Sequence, residues 1–198
     1  RDLGTLELMR NHGIEAYYSR CVTLTLPRRQ SAPAKGEVFL VGISATARQA
    51  IPADLRKQAV TVDQAKVRLP INNTAIKLAL AEELLVQYRD RARLVITSKI
   101  HCALPCIAMG IPVVFLYDNA KQQDYRVSLI KDLVGINYIY ERGLFARFLN
   151  RWRSRSIDWS PASLDIEQMK ISIREQFSSA LQRVVSLSKN AVNANEIH

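Results

Sequence analysis

Residues 94–117 read LVITSKIHCALPCIAMGIPVVFLY and decide the fold class. An apolar run is followed by a polar turn, a stretch of small and apolar residues up to Gly110, and a second apolar run opened by Pro112. Glycine commonly ends a helix, and a short apolar run between turn residues is typical of a buried strand. The stretch therefore predicts a strand, a helix and a strand in succession. Because Pro105 has no amide hydrogen, we expect the helix to begin near residues 101–103.

Short apolar runs of this kind recur, and helix-like stretches separate several of them. They occupy residues 38–43, 59–62, 94–97 and 113–117. This alternation predicts βαβ units, and hence an α/β fold in which helices cover both faces of a parallel sheet. We expect a further strand within residues 17–26, where apolar and polar residues alternate.

Two longer helices are predicted from the spacing of apolar residues. The first covers residues 73–89, is capped by Asn72 or Asn73, and serves packing through an apolar residue at every fourth position. The second covers residues 166–187 and is capped by Asp165. Its apolar stripe consists of Ile166, Met169, Ile173, Phe177, Leu181 and Val184.

Composition restricts the classes of partner. The chain has 198 residues, of which 48% are hydrophobic and 23% charged, which is typical of a globular protein. A net charge of +10 predicts attraction to anions. The basic residues are scattered and form no recognisable nucleic-acid-binding module, so nucleic acid is not an expected partner. Three cysteines without framework or paired-ligand spacing indicate a reducing compartment, no structural disulfide set and no zinc site.

The polar turn of residues 97–101 carries the candidate chemistry. In parallel sheets, ligands bind beyond the carboxyl ends of the strands, where this turn falls. The first turn of the following helix favours an anion, and Lys99 adds a positive charge. His101 can give or take a proton near neutral pH. The alternative is structural, with Lys99 a solvated charge and His101 a hydrogen-bonded residue at the helix cap.

The turn resembles a motif of the polysaccharide pyruvyl transferase family. The C-terminal half of that family carries a strand, then Thr-Ser-Arg-hydrophobic-His, then a small-residue helix ending in Gly-hydrophobic-Pro. Here residues 97–101 read TSKIH and residues 110–112 read GIP. A second marker, Arg-Asp followed shortly by Ser or Thr, corresponds to residues 1–5, RDLGT, ahead of a short helix. The resemblance covers about residues 1–135.

The resemblance implies the C-terminal, Rossmann-like half of a GT-B-like transferase. The family's usual reaction moves a pyruvyl group from phosphoenolpyruvate, the donor substrate, onto two hydroxyls of a sugar as a ketal, with no further cofactor. It implies that His101 is the catalytic acid or base, and that Arg1 and Lys99 hold the anionic groups of the donor. The other donor-binding candidates are Thr97, Ser98, Cys102, Lys121 and Arg126. The alternative for Lys121 and Arg126 is that they are solvated loop charges. Lys99 departs from the family's Arg and lacks its two-pronged contact, which favours a related transferase with another donor.

The resemblance, together with the pattern of residues beyond it, predicts a domain plan. Residues 1–153 would form the donor-binding domain and residues 154–163 a connection. Residues 164–189 would form an amphipathic helix that packs on this domain or on another one. Residues 190–198 would form a flexible tail. We expect an N-terminal domain to precede Arg1.

Two further features leave alternatives open. Residues 144–156 combine Arg147, Arg151, Arg153 and Arg155 with Phe145, Phe148, Leu149 and Trp152. This pattern predicts a basic amphipathic helix, which either docks on an anionic membrane or covers ordinary core packing. Cys21 is either a packing residue or a nucleophile, and no base lies near it in sequence.

Three functions remain open from the sequence. The first is a cytoplasmic pyruvyl transferase of exopolysaccharide biosynthesis in the cell envelope, peripheral to the inner face of the membrane, with an anionic donor and a sugar or lipid-linked oligosaccharide acceptor. The second is a nucleotide-sugar glycosyltransferase of GT-B architecture. The third is a non-catalytic sugar-binding or scaffolding domain.

Overall fold

A parallel sheet forms the centre of the molecule. The computed structural model describes residues 2–63, 73–117, 127–140 and 145–195. Within these residues, five parallel strands pair in the order β2-β1-β3-β4-β5. The strands are β1 (Glu37–Val41), β2 (Ala59–Val62), β3 (Ala92–Thr97), β4 (Val113–Tyr117) and β5 (Asn137–Tyr138). The predicted α/β class and four of the strands are thereby confirmed.

Helices connect the strands and follow the last one. They are α1 (Leu3–Asn11), α2 (Ala45–Ala50), α3 (Ala53–Lys57), α4 (Thr74–Arg91), α5 (Ile100–Ala108), α6 (Ser128–Val134), α7 (Ala146–Ser154) and α8 (Glu167–Asn195), with a 3-10 turn at Val22–Thr25. None of these described helices is both long and apolar enough to cross a bilayer.

The strand order creates a reversal point between β1 and β3. The chain moves from β1 to β2 on one side, and then returns to place β3 on the other side. At the carboxyl ends of these two strands, Val41 lies beside Thr97 in register. In an open parallel sheet such a reversal leaves a crevice in which ligands bind. The candidate turn of residues 97–101 therefore begins where the strand order predicts such a crevice.

Helices cover both faces of the sheet. On β1, Phe39 and Val41 face one core, whereas Val38 and Leu40 face the other, because side chains alternate along a strand. The first core includes α5, α6 and the beginning of α8. The second includes α2 and the connection around Trp159. Burial on both faces explains why the strands read as continuous apolar runs.

The prediction of a strand within residues 17–26 is wrong. A 3-10 turn lies there, and its side chains bond locally. The Thr25 hydroxyl donates to the Val22 carbonyl at 2.8 Å, and the Cys21 and Thr23 side chains meet at 3.0 Å. Such side-chain bonds compete with strand formation. Leu24, which is fully buried, fixes the turn against the core.

Helix α4 only partly serves the packing expected of it. The Asn73 side chain accepts the amide hydrogen of Ile76 at 3.0 Å and so confirms the predicted cap. Tyr88 is buried, and its ring meets Phe39 edge-on with 5.4 Å between centroids. In the first half of the helix, Ile76 and Leu78 are exposed. The packing function is therefore confined to the second half.

Helix α8 is longer than expected and its stripe divides. Asp165 accepts the amide hydrogen of Glu167 at 3.1 Å. Ile166 and Ile173 are buried in the first core, whereas the stripe beyond them, Phe177, Leu181 and Val184, is exposed. The expected end at residue 187 is wrong, because residues 190–195 continue the helix, whereas the predicted flexibility of the tail stays a prediction. The chain's own core thus covers only the beginning of this helix.

Candidate active site

Two hydroxyls fasten the turn after β3 to the end of β1. Thr97 Oγ1 donates to the Val41 carbonyl at 2.9 Å and accepts the Lys99 amide hydrogen at 3.0 Å. Ser98 Oγ donates to the Gly42 carbonyl at 2.6 Å. These bonds link the two strands that flank the crevice. They hold the following residues in a defined position.

Lys99 lies directly over Gly42. Gly42 has φ +59°, a conformation that glycine adopts at little cost. A Cβ atom built on Gly42 would lie 2.5 Å from Lys99 Cε and 2.7 Å from Lys99 Cγ. The lysine stem is therefore packed along the glycine backbone, while the residue as a whole stays exposed. Long cationic side chains commonly combine an apolar stem contact with a solvated head group.

His101 stands in the first turn of α5. Lys99 is the N-cap residue, and its carbonyl accepts the amide hydrogens of Cys102 at 3.0 Å and Ala103 at 2.9 Å. Within the described residues, no side chain caps this helix. The N-terminal amides and dipole of α5 therefore favour an anion beside Lys99. His101 is exposed at the same end.

The remainder of α5 is anchored in the core. Residues 102–108 are all buried. Gly110 has φ +72°, its amide donates to the Ile107 carbonyl at 3.0 Å, and the Ile111 amide donates to the Cys106 carbonyl at 2.9 Å. This pair of bonds is the Schellman arrangement and confirms the predicted helix end. Within α5, only Ile100 and His101 at its beginning are not buried.

The predicted helix start needs a small correction. The helix begins at Ile100 instead of residues 101–103, so Pro105 lies one position deeper than expected. Pro105 cannot donate to the His101 carbonyl one turn earlier, because it has no amide hydrogen. Burial of the following turn among the strands offsets this loss. The position of His101 in the first turn does not depend on the difference.

Two predicted donor contacts are corrected by burial. Thr97 is 0% exposed and Cys102 is 1% exposed, so neither side chain can touch a ligand in the crevice. Thr97 positions the turn instead. A hydrogen bond with Cys102, together with burial, raises the pKa of the Cys106 thiol well above its ordinary value. This pair of thiols, like the buried Cys21, is consistent with packing.

The structure brings some of the other predicted site residues together. Ser98, Lys99 and His101 share the turn at the end of β3, with Ser98 half-buried. The predicted donor contact of Ser98 stays a prediction, and its oxygen keeps lone pairs that can accept from a ligand. Arg1, Lys121 and Arg126 lie outside the described residues, so their expected contacts with the donor stay predictions.

The second family-like marker has a local structural function. Asp2 caps α1, because its carboxylate accepts the Thr5 amide hydrogen at 2.8 Å and the Thr5 hydroxyl hydrogen at 3.1 Å. A capping carboxylate of this kind satisfies amide hydrogens that have no partner inside the helix. The Asp-x-x-Thr spacing is therefore explained by the start of a helix.

Two features of the molecule escaped the sequence. The first is the contact between Gly42 and Lys99, for which the sequence offers only a weak signal, a glycine directly after a buried strand. Elsewhere, a cavity of about 690 Å³ is lined by three arginines, Arg56, Arg151 and Arg155. Of the described residues that line it, none belongs to residues 97–101. No group of three or more His, Cys, Asp or Glu side chains suited to a metal ion occurs in the described part of the chain.

Comparison with known proteins leaves the family open. No protein-family model matches the chain, and no curated protein or solved structure matches it either. Inference about function therefore depends on the geometry. The α/β fold places a fixed turn, with a lysine and a histidine, where the order of its parallel strands reverses.

Proposed function

We propose that the chain binds a small anionic donor at the carboxyl ends of β1 and β3 and takes part in transferring a pyruvyl group to a sugar, as polysaccharide pyruvyl transferases do. One observation carries the proposal. Lys99 and His101 are exposed at the beginning of α5, on a turn that two hydroxyls fasten to the neighbouring strand. A cation and a proton carrier thus share one fixed, open position.

The electrostatics suit phosphoenolpyruvate. This donor carries a phosphate and a carboxylate. A helix N-terminus can bind one of these groups, and a lysine ammonium the other, through charge-assisted hydrogen bonds. The contact of the Lys99 stem with Gly42 restricts where the ammonium group can lie. A lysine supplies one compact charge rather than the planar fork of arginine, so orientation of the donor depends more on the helix end.

The reaction needs one proton to be delivered and two to be removed. A proton added to the methylene carbon of phosphoenolpyruvate makes C2 electrophilic. A sugar hydroxyl then bonds to C2 and loses its proton. The bond between C2 and the phosphate oxygen breaks, phosphate leaves, and a second hydroxyl closes the ketal with loss of its own proton. The net products are the pyruvate ketal and phosphate.

His101 is the group proposed to move one of these protons. Imidazole exchanges protons near neutral pH, so it can donate to the methylene carbon or accept from the attacking hydroxyl. Both roles require the ring to be open to the ligand, and His101 is exposed. In the GT-B-like arrangement that we propose, a second domain supplies the acceptor sugar from across the crevice.

The second candidate function is transfer from a nucleotide sugar. Lys99 favours this alternative, because a lysine point charge beside a helix N-terminus also suits a diphosphate. A third candidate is a sugar-binding domain without catalysis. Calorimetric titration with phosphoenolpyruvate and with nucleotide sugars separates these candidates: binding of the first ligand supports pyruvyl transfer, binding of the second supports glycosyl transfer, and binding of neither favours the third.

The lysine is tested by binding. We expect Lys99→Ala to weaken phosphoenolpyruvate binding by roughly tenfold or more, because a charge-assisted hydrogen bond is lost. Lys99→Arg restores the charge and is expected to restore binding. Lys57→Ala, which removes another exposed lysine at the end of α3, is the matched control. Equal effects at positions 57 and 99 would contradict the proposal.

The histidine is tested by turnover. We expect His101→Ala to lower phosphate release from phosphoenolpyruvate in the presence of acceptor by about a hundredfold or more, because a general acid or base is lost. Thermal unfolding should be unchanged, since the side chain is exposed. His12→Ala, at the exposed end of α1, is the control. Unchanged turnover in His101→Ala would remove the catalytic assignment.

A further inference from the structure

The outer side of α7 exposes large apolar side chains. Phe145 is 72% exposed, Phe148 71% and Trp152 66%, and Leu149 is exposed beside them. These four residues recur at spacings of three and four, which places them on one side of a helix. We call Phe145, Phe148, Leu149 and Trp152 the aromatic face. A contiguous exposed patch of this kind commonly marks an interaction surface.

The opposite side of α7 is fastened to the fold. Asn150 is buried, and its side chain bonds the Tyr140 backbone twice, accepting its amide hydrogen at 2.9 Å and donating to its carbonyl at 2.8 Å. The Ser154 hydroxyl donates to the Ala50 carbonyl at 2.5 Å. Ala146 is also buried. The helix therefore cannot turn its aromatic face inward without breaking these contacts.

Arginines flank the aromatic face. Residues 144–157 contain four arginines and neither Asp nor Glu. Arg151 and Arg155 are exposed and line the 690 Å³ cavity, together with Arg56 of α3. On the other flank, Arg153 donates to the Tyr138 carbonyl at 3.2 Å and lies over the Tyr140 ring. Positive charge thus borders the apolar patch.

The arginine cavity itself points to an anionic occupant. Among the described residues, the buried Nε atom of Arg56 has no hydrogen-bond partner. Buried polar atoms are nearly always paired, so the unpaired Nε leaves Arg56, one of the residues that line the cavity, with an unsatisfied donor. Arginine matches phosphate in shape as well as in charge.

We propose that α7 docks on an anionic phospholipid surface, with its aromatic face in the bilayer interface and a lipid phosphate held by Arg56, Arg151 and Arg155. Aromatic rings favour the interfacial region, and basic residues beside them bind anionic head groups. The net charge of +10 attracts the chain to such a surface. An apolar face beside an arginine-lined cavity matches the apolar interior and the anionic head groups of a lipid surface, which favours lipid over a protein partner.

This surface is separate from the candidate active site. The cavity includes Ala50, at the C-terminal end of α2, whereas Gly42 precedes the N-terminal end of that helix. The lipid proposal therefore does not depend on pyruvyl transfer. A mutation that abolishes lipid binding at α7 should leave donor binding at the turn after β3 intact, and the reverse should also hold.

Vesicle sedimentation with the full chain tests the proposal. We expect binding to vesicles of phosphatidylcholine mixed with phosphatidylglycerol, and binding weaker by roughly tenfold or more to phosphatidylcholine alone. High salt should reduce the binding, because surface charges are screened. In a Trp159→Phe variant, the fluorescence of Trp152, then the only tryptophan of the chain, should shift to shorter wavelength as the ring enters the interface. Equal binding to both vesicle types, or binding to neither, overturns the proposal.

Paired variants locate the surface. Phe148→Ser with Trp152→Ser, and separately Arg151→Gln with Arg155→Gln, should each weaken binding to the anionic vesicles by roughly tenfold or more. The matched control is Phe177→Ser with Arg183→Gln, at exposed positions of α8. Circular dichroism checks that every variant is folded. An equal loss in the control overturns the proposal, as does a dimer that the serine variants dissociate without any vesicle binding.

Discussion

Helices α5 and α7 are both nine residues long and lie in opposite environments. Residues 102–108 of α5 are buried throughout. Of the side chains described in α7, only Ala146 and Asn150 are buried, and the aromatic face is open. The length of a helix therefore does not determine which part of it is exposed to a ligand. An enclosed helix presents its end, whereas a helix fastened along one side presents its other side.

The charged side chains of the two helices also differ in where they lie. At α5, Lys99 and His101 stand together at one end, which suits a small anion. At α7, arginines border an extended apolar patch, which suits a charged surface. The two proposals therefore concern ligands of different size.

The largest expected effect compares one leucine from each helix. Leu104→Ala in α5 should lower the free energy of unfolding by about 2–5 kcal/mol, because a side chain that is 1% exposed leaves a cavity. Leu149→Ala in α7 should change it by less than about 1 kcal/mol, because that side chain is 40% exposed. Denaturant unfolding of both variants measures the difference. Similar losses would mean that the aromatic face is part of the core.

A smaller effect is expected at Gly42, where a substitution strains the backbone and also disturbs the contact with Lys99. Gly42→Ala should lower the free energy of unfolding by about 1–2 kcal/mol, since φ is +59°. The added Cβ atom should also displace Lys99 and weaken phosphoenolpyruvate binding. Gly13→Ala has a similar φ, +71°, but open space around the Cβ position. Gly13→Ala, the control, should lose a similar amount of stability and still bind phosphoenolpyruvate. A loss of binding in both variants would count against the Lys99 contact.

The smallest effect concerns the two buried thiols of α5, Cys102 and Cys106. The raised pKa of the Cys106 thiol keeps it protonated at neutral pH, and protonated thiols are poor nucleophiles. We expect iodoacetamide to modify Cys102 and Cys106 slowly in the native chain and rapidly in denaturant. Mass spectrometry after a timed reaction measures both rates. Rapid native modification would show that the beginning of α5 opens more than its burial implies.

Sequence periodicity predicted the positions of the strands better than it predicted which helix faces are exposed. Strands β1, β3 and β4 are buried on both faces and therefore read as continuous apolar runs. Strand β5 has only two residues, too few to make a pattern. The apolar stripe of α8 predicted a helix, but periodicity cannot tell whether a partner covers the stripe, and Phe177 is exposed.

The place of the turn after β3 was predicted from the sequence, but its hydrogen bonds were not, and its function as a site stays a prediction. The turn after β3 could be located, because ligands bind beyond the carboxyl ends of parallel strands. The inward direction of Thr97 depends on its bond to Val41 in another strand, which the local sequence does not encode. The arginine cavity joins Arg56 to Arg151 from distant parts of the chain, so only the fold reveals it.

Nuclear magnetic resonance of backbone amides, during titration with phosphoenolpyruvate, tests most directly whether the end of α5 binds the anion. The account predicts that the largest shift changes occur at Gly42 and at residues 98–102. Changes confined to Arg56, Arg151 and Arg155, with residues 98–102 unaffected, would contradict it.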